Sequence, residues 1–142
     1  MINQAKIDGN DIWTTYKANL VKGTYAALMK KPQCKELIKN ESRLEDGVRI
    51  IIPNDTLLFQ SQDISISFLI EGDNVTELDM NCTSFLTAIT KKSINFDVNK
   101  LGIRYNLIYQ DMSVKEYLSS HRKFRVYTVK FLEPNPSNRI KI

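Results

Sequence analysis

The sequence is poor in the residues that build most metal and cofactor sites. Its 142 residues include one histidine, His121, and two cysteines, Cys34 and Cys82, which are far apart and form no Cys-x-x-Cys pair. A structural zinc site takes four ligands, which is more than these three residues supply. We therefore expect no metal and no cofactor, and we predict that both cysteines are free thiols that are buried or half-buried.

Catalytic patterns are also missing. His121 follows two serines in a polar stretch, but that stretch offers no third group to orient the imidazole. Most acidic residues stand beside glycine or at the ends of predicted strands, where they serve turns and solubility. The five glycines are isolated, so none forms a loop that could hold a phosphate. These absences indicate that the protein is not an enzyme.

Charge and hydropathy exclude further classes. The net charge of +4 is spread along the chain without a long run of one sign, which is weak evidence for nucleic-acid binding. The N-terminus lacks the apolar core of a signal peptide, and no apolar stretch approaches the roughly 18 to 20 residues of a membrane span. We therefore expect synthesis in the cytoplasm, no membrane association and no specific binding of nucleic acid.

Alternating apolar and polar residues predict several β-strands, and single glycines mark the turns between them. The clearest strand has Ile64, Ile66, Phe68 and Ile70 on one face. A hairpin that turns at Asp8-Gly9 opens the chain, and an N-terminal strand that includes Trp13 and Tyr16 follows it. The other predicted strands cover 48–52, 94–98, 103–109 and 124–132, the last of which is apolar on both faces, as in a central strand.

One amphipathic helix interrupts the strands. Apolar residues recur with helical spacing from Val75 to Ile89, Asn74 can cap the first turn, and Lys91 and Lys92 fall where the helix dipole favours cations. This pattern predicts a helix over about residues 74–91, and a shorter helix is expected over 24–31. The predicted fold is α+β, a mostly antiparallel β-sandwich or curled sheet with one flanking helix.

Two clusters are candidate binding surfaces. His121, Arg122, Lys123 and Arg125 beside Tyr127 could contact nucleic acid, although such charges more often flank an apolar strand to prevent edge pairing. Trp13 and Tyr16 could form a ligand platform, but they are more typical of a core or a subunit contact.

The two ends of the chain resemble a known family. An Asp-Ile-aromatic opening, Asp11-Ile12-Trp13, and a Phe-x-Glu-Pro-Asn-Pro close, 131–136, are similar to small distal-tail and tail-tube-like proteins of tailed bacteriophages and prophages. The resemblance runs from about residue 5 to residue 136 and contributes no catalytic residues. Distal-tail proteins often carry a second C-terminal β-domain, and this sequence ends where that domain would begin.

The resemblance implies a structural protein of the virion tail, assembled in the host cytoplasm with other tail or baseplate proteins. Subunits of this group join as rings, commonly hexamers, so we expect a homo-oligomer. We predict one domain over residues 1–136 and a short tail over 137–142, which the prolines hold extended towards a neighbouring subunit. The candidate interface residues are Ile12, Trp13, Tyr16, Leu20, Phe131, Leu132, Pro134 and Pro136. The alternative is a monomeric nucleic-acid-binding module that uses Arg122, Lys123 and Arg125.

Overall fold

A curled, mostly antiparallel sheet with one long helix packed on it forms the main body of the protein. The computed structural model describes residues 3–30, 38–40, 49–51, 60–119 and 123–142. The strands are β1 (Ala5–Ile7), β2 (Asn10–Asp11), β3 (Ala18–Leu20), β4 (Ile38–Asn40), β5 (Arg49–Ile51), β6 (Gln62–Gly72), β7 (Ile94–Val98), β8 (Ile103–Leu118), β9 (Lys123–Glu133) and β10 (Ile140–Lys141). The helices are α1 (Ile12–Tyr16), α2 (Thr24–Met29) and α3 (Val75–Ile89), with a 3-10 turn at Pro136–Asn138.

Seven strands follow one path through the main sheet, in the order β2-β1-β7-β8-β9-β6-β3, and β10 pairs with β8 beside this path. Every described pairing in this sheet is antiparallel. Strands β4 and β5 form a separate antiparallel pair. The predicted α+β class is confirmed, and the strand predicted over 124–132 is indeed central because β9 lies between β6 and β8.

The sheet curls because its two ends share one core. Phe68 on β6 and Phe96 on β7 are separated by β8 and β9 in the sheet order, yet their rings lie edge to face with centroids 5.9 Å apart. Phe85 of α3 packs against Phe68 at 4.8 Å and against Tyr16 at 5.9 Å. The strand ends and the helix therefore bury one continuous apolar interior.

Local signals fix the ends of α3. Asn74 caps the helix, since its side chain accepts a hydrogen bond of 2.8 Å from the backbone N–H of Glu77. The helix ends at Ile89, so Lys91 and Lys92 lie beyond it and the prediction that they occupy its last turn was wrong. Gly72 allows β6 to meet the helix, because a Cβ there would lie 2.5 Å from the backbone nitrogen of Leu78.

Two other predictions needed correction. The segment with Trp13 and Tyr16 is the short helix α1 and not a strand, and Asp11 caps it by accepting a hydrogen bond of 2.9 Å from the N–H of Thr14. Strand β8 does not stop at Tyr109 but continues to Leu118. The predicted helix over 24–31 is present as α2, which ends at Met29.

Candidate assembly surfaces

The second part of β8, residues 111–118, is the most exposed long strand segment in the described structure. Strand β9 pairs with it along one edge, and none of the described strands pairs with its other edge. Val114 is 48% exposed, Tyr117 46% and Leu118 52%. An unpaired edge with exposed apolar side chains is a template for the addition of another strand.

A β-bulge separates this segment from the buried start of β8. Tyr109 pairs with Phe131 and Asp111 with Lys130, which leaves Gln110 as the extra residue. Bulges bend a strand and increase its twist, so the bulge re-aims the second part of β8 relative to the part that pairs with β7. Met112 and Val114 continue the period-2 spacing of the strand, and this spacing was the sequence signal that β8 extends beyond Tyr109. Polar residues at the alternate positions obscured that signal.

On the helix side of this segment, two carboxylates hold the side chain of Arg125. Arg125 of β9 donates hydrogen bonds to Glu116 of β8 and to Asp79 of α3. Burial lowers the pKa of Arg125, but the hydrogen bonds to Glu116 and Asp79 outweigh it and raise the pKa overall. This network ties β8 to β9 and to the helix.

The same network bears on the nucleic-acid alternative. Because Arg125 is paired with two carboxylates within the chain, its charge is largely compensated and less able to attract phosphate. Lys123 donates to the backbone oxygen of Ser119, while His121 and Arg122 lie outside the described residues. Nucleic-acid contact through Arg122, Lys123 and Arg125 therefore stays a prediction, in which Arg125 has its charge paired within the chain.

The helix-free face of the hairpin formed by β8 and β9 carries an aromatic pair. Tyr117 and Phe124 are direct partners across the two strands, and their rings stack with centroids 4.7 Å apart. Val126 and Leu69 continue this half-buried apolar strip on to β6, where they pair with each other. Together with the unpaired edge of β8, the strip forms one connected apolar surface.

The N-terminal interface candidates lie mainly in the interior of the chain. Ile12, Tyr16 and Leu20 are buried in the core, and Trp13 is half-buried on α1. Helix α1 leads through Lys17 directly into β3, the last strand of the sheet path. Trp13 is therefore the member of this group with surface to offer, and its role in a subunit contact stays a prediction.

The C-terminal candidates divide in the same way. Phe131 and Pro136 are buried, Leu132 is half-buried and Pro134 is exposed. The tail is folded back on the chain rather than extended, since β10 pairs with the start of β8 and the N–H of Ile142 donates to the oxygen of Gly102 at 2.9 Å. Leu132 and Pro134 are therefore the members that retain surface for a neighbour.

A buried ion pair holds the folded tail in place. The Glu133 side chain is 1% exposed and accepts two hydrogen bonds from Arg139, at 2.8 and 2.7 Å, and one from Gln62 at 3.0 Å. The hydrogen bond to Glu133 raises the pKa of Arg139. The guanidinium also lies 4.9 Å from the centre of the Tyr105 ring, so the tail is anchored to the first part of β8.

No group of three or more histidine, cysteine, aspartate or glutamate residues suited to a metal ion occurs in the described structure. Cys82 is a buried free thiol, as predicted, while Cys34 lies outside the described residues. Over the same described ranges, no helix combines the length and apolar character needed to cross a membrane.

Comparison with known proteins finds a similar fold among solved structures but no match in sequence. No known family profile matches the chain, and no curated protein matches it in sequence. Among solved structures, the Dit protein of phage SPP1 is similar with a TM-score of 0.58 and 16% sequence identity over 94% of this chain. That protein is described as a paradigm of the hub adsorption apparatus in phages that infect Gram-positive bacteria. The match spans 50% of the SPP1 protein, so this chain corresponds to about half of its length.

Proposed function

We propose that this protein is a structural subunit of a phage tail, of the distal-tail or tail-tube-like kind, and that copies of it join into a ring. The observation that carries the proposal is the fold shared with the SPP1 Dit protein over 94% of the chain. Its mechanism is assembly rather than catalysis, and its partners are further copies of itself and other tail or baseplate proteins.

Two edges of the sheet provide surfaces for a head-to-tail contact. The second part of β8 has one unpaired edge, and β3, at the end of the path β8-β9-β6-β3, covers only three residues of β6. Successive strands along this path are antiparallel, so its two outer strands, β8 and β3, run in opposite directions. In the proposed contact, β8 of one copy would meet β3 of the next as an antiparallel neighbour, at an edge where the Gln4 side chain accepts a hydrogen bond of 2.8 Å from the N–H of Leu20.

Side chains near these edges fit the same contact. Val114 and Leu118 offer apolar surface on the helix side of β8, and Tyr117 offers it on the opposite face. At the other edge, Trp13 on α1 is half-buried next to β3. Because apolar area must be covered on both faces of an added strand, these residues would supply the contact that backbone pairing alone lacks.

The first test is the mass in solution, measured by light scattering on a sizing column over a range of protein concentrations. We expect a species of several subunits, near a hexamer, or a climb towards one as concentration rises. The variant Val114→Lys with Leu118→Lys should shift the protein to monomer, because two desolvated ammonium groups at the edge oppose strand pairing.

A matched control variant tests whether the loss of assembly requires charge at the β8 edge or follows from any added surface charge. Met80 is 65% exposed and lies on α3 rather than on β8, so Met80→Lys adds charge outside the strand and should leave the mass unchanged. Wild-type protein that stays monomeric at the highest concentration would contradict self-assembly. An equal loss of assembly in the Met80 variant would contradict the role of the β8 edge.

A further inference from the structure

A polar groove of about 490 Å³ lies between strands β7 and β8 and the folded tail. Its volume is within the range of small-ligand sites, roughly 300–1,000 Å³. It is lined by Asn95, Arg104, Asn106, Ser137, Asn138, Arg139 and Ile140. The groove is built by the first part of β8, and the unpaired edge belongs to the second part, so the two surfaces are distinct.

Both arginines of the groove are fixed by carboxylates that are themselves buried. Arg104 donates from Nε and Nη2 to Asp97, at 2.7 and 3.1 Å, and the Asp97 side chain is 8% exposed. Arg139 donates from the same two nitrogens to Glu133. In the described structure the Nη1 group of each guanidinium keeps its hydrogen atoms for another acceptor. Fixed donors bind a ligand with little loss of side-chain entropy.

The remaining polar groups are amides and a hydroxyl. Asn95 and Asn106 are direct partners across β7 and β8, and they share a strand face with the pair formed by Asp97 and Arg104. An asparagine side chain both donates and accepts, and a serine hydroxyl does the same. The two arginines of the groove are paired with two buried carboxylates, so their charges balance. The groove therefore has no net charge from these pairs that would attract an anion.

We propose that this groove binds a neutral saccharide. Vicinal hydroxyl groups need closely spaced donors and acceptors without net charge, and the arginines, asparagines and serine of the groove provide them. Ile140 is 55% exposed at the wall and offers apolar surface for the carbon face of a sugar ring.

The test uses fluorescently labelled full-length protein on a printed array that carries neutral and anionic glycans. We expect binding to at least one neutral glycan, which is then titrated by calorimetry. The variants Asn95→Ala and Asn138→Ala should each weaken that binding by roughly two- to tenfold, the effect of losing one neutral hydrogen bond. Both residues are exposed, so thermal melting should show that the variants remain folded.

Thr83→Ala is the control, since Thr83 lines a different depression on the outer side of α3. It should leave glycan affinity unchanged. The proposal is overturned if no neutral glycan binds, if only anionic glycans bind, or if both asparagine variants keep the wild-type affinity. None of these outcomes depends on whether the protein forms a ring.

Discussion

The two parts of β8 lie in different environments. In the first part, Tyr105 and Leu107 are fully buried, β7 pairs along one edge, and β10 pairs along the other. In the second part, Val114, Tyr117 and Leu118 are about half exposed and one edge has no described partner. A single strand is thus part of the core at one end and carries exposed apolar side chains at the other.

This difference shows how one strand can have a buried part and an exposed part. The bulge at Gln110 lets the strand change its environment without ending, because it absorbs one residue and bends the chain. Tyr105 and Leu107 before the bulge are fully buried in the core, whereas Val114, Tyr117 and Leu118 after it are about half exposed. Substitutions on the two sides of the bulge should therefore act on different properties.

The largest expected effect is on the free energy of unfolding, which should respond to substitutions in the first part of β8 far more than to substitutions in the second part. Leu107→Ala should lower the free energy of unfolding by about 2–5 kcal/mol, because it leaves a cavity in a fully buried site. Val114→Ala, which also shortens an apolar β8 side chain, should change it by at most about 0.5 kcal/mol. Denaturant unfolding measures both values, and similar losses in the two variants would contradict the division of the strand.

The second effect concerns the tail that covers the first part of β8. Arg139→Ala should cost about 3 kcal/mol, since it leaves the buried Glu133 carboxylate without its ion-pair partner. Adding Glu133→Gln should recover part of the loss by removing the buried charge. Amide hydrogen exchange at Ile142, whose N–H donates to Gly102, should accelerate in Arg139→Ala. Unchanged exchange there would show that the ion pair does not hold the tail.

The regular parts of the fold could be predicted from sequence because their burial follows a single period. In β6, the buried residues Ile64, Ile66, Phe68 and Ile70 alternate with more accessible ones, and α3 combines helical spacing with a capping asparagine. Helix α1 was missed because five residues hold little more than one turn, and Trp13 and Tyr16 suit a helix or a strand equally well.

The candidate surfaces were harder to predict, for two physical reasons. Beyond Tyr109 the strand is exposed on both faces, so no burial pattern distinguishes it from a loop. The folded tail depends on a buried pair, Glu133 with Arg139, and on a stacked Tyr105, contacts that only the three-dimensional arrangement reveals. The two prolines indicated where β9 ends but not the direction that the chain then takes.

The third prediction concerns the ionisation of Tyr127, a buried tyrosine on β9. Burial raises the pKa of Tyr127 to about 12 from 10.0, and its interaction with Cys82 adds to the rise, so the folded state favours the neutral phenol. Stability should be constant with respect to this group below pH 10.0 and should fall as pH rises from there towards about 12. The loss should be on the order of 2–3 kcal/mol.

Tyr127→Phe should reduce this alkaline loss, because it removes the phenol whose pKa is raised. Denaturant unfolding at several alkaline pH values provides the measurement. An identical pH dependence in wild type and Tyr127→Phe would show that this phenol ionises as easily in the folded protein as in the unfolded chain.

The smallest effect is expected from charge placed on the exposed part of β8. Val114→Lys should change the free energy of unfolding of the monomer by at most about 0.5 kcal/mol, because the side chain can reach water. Leu107→Lys should prevent folding, since it would bury an unpaired ammonium group. Unfolding is measured at low protein concentration, where assembly does not contribute. If Val114→Lys instead cost several kcal/mol, Val114 would be packed inside the monomer, and the edge of β8 would be closed to another subunit.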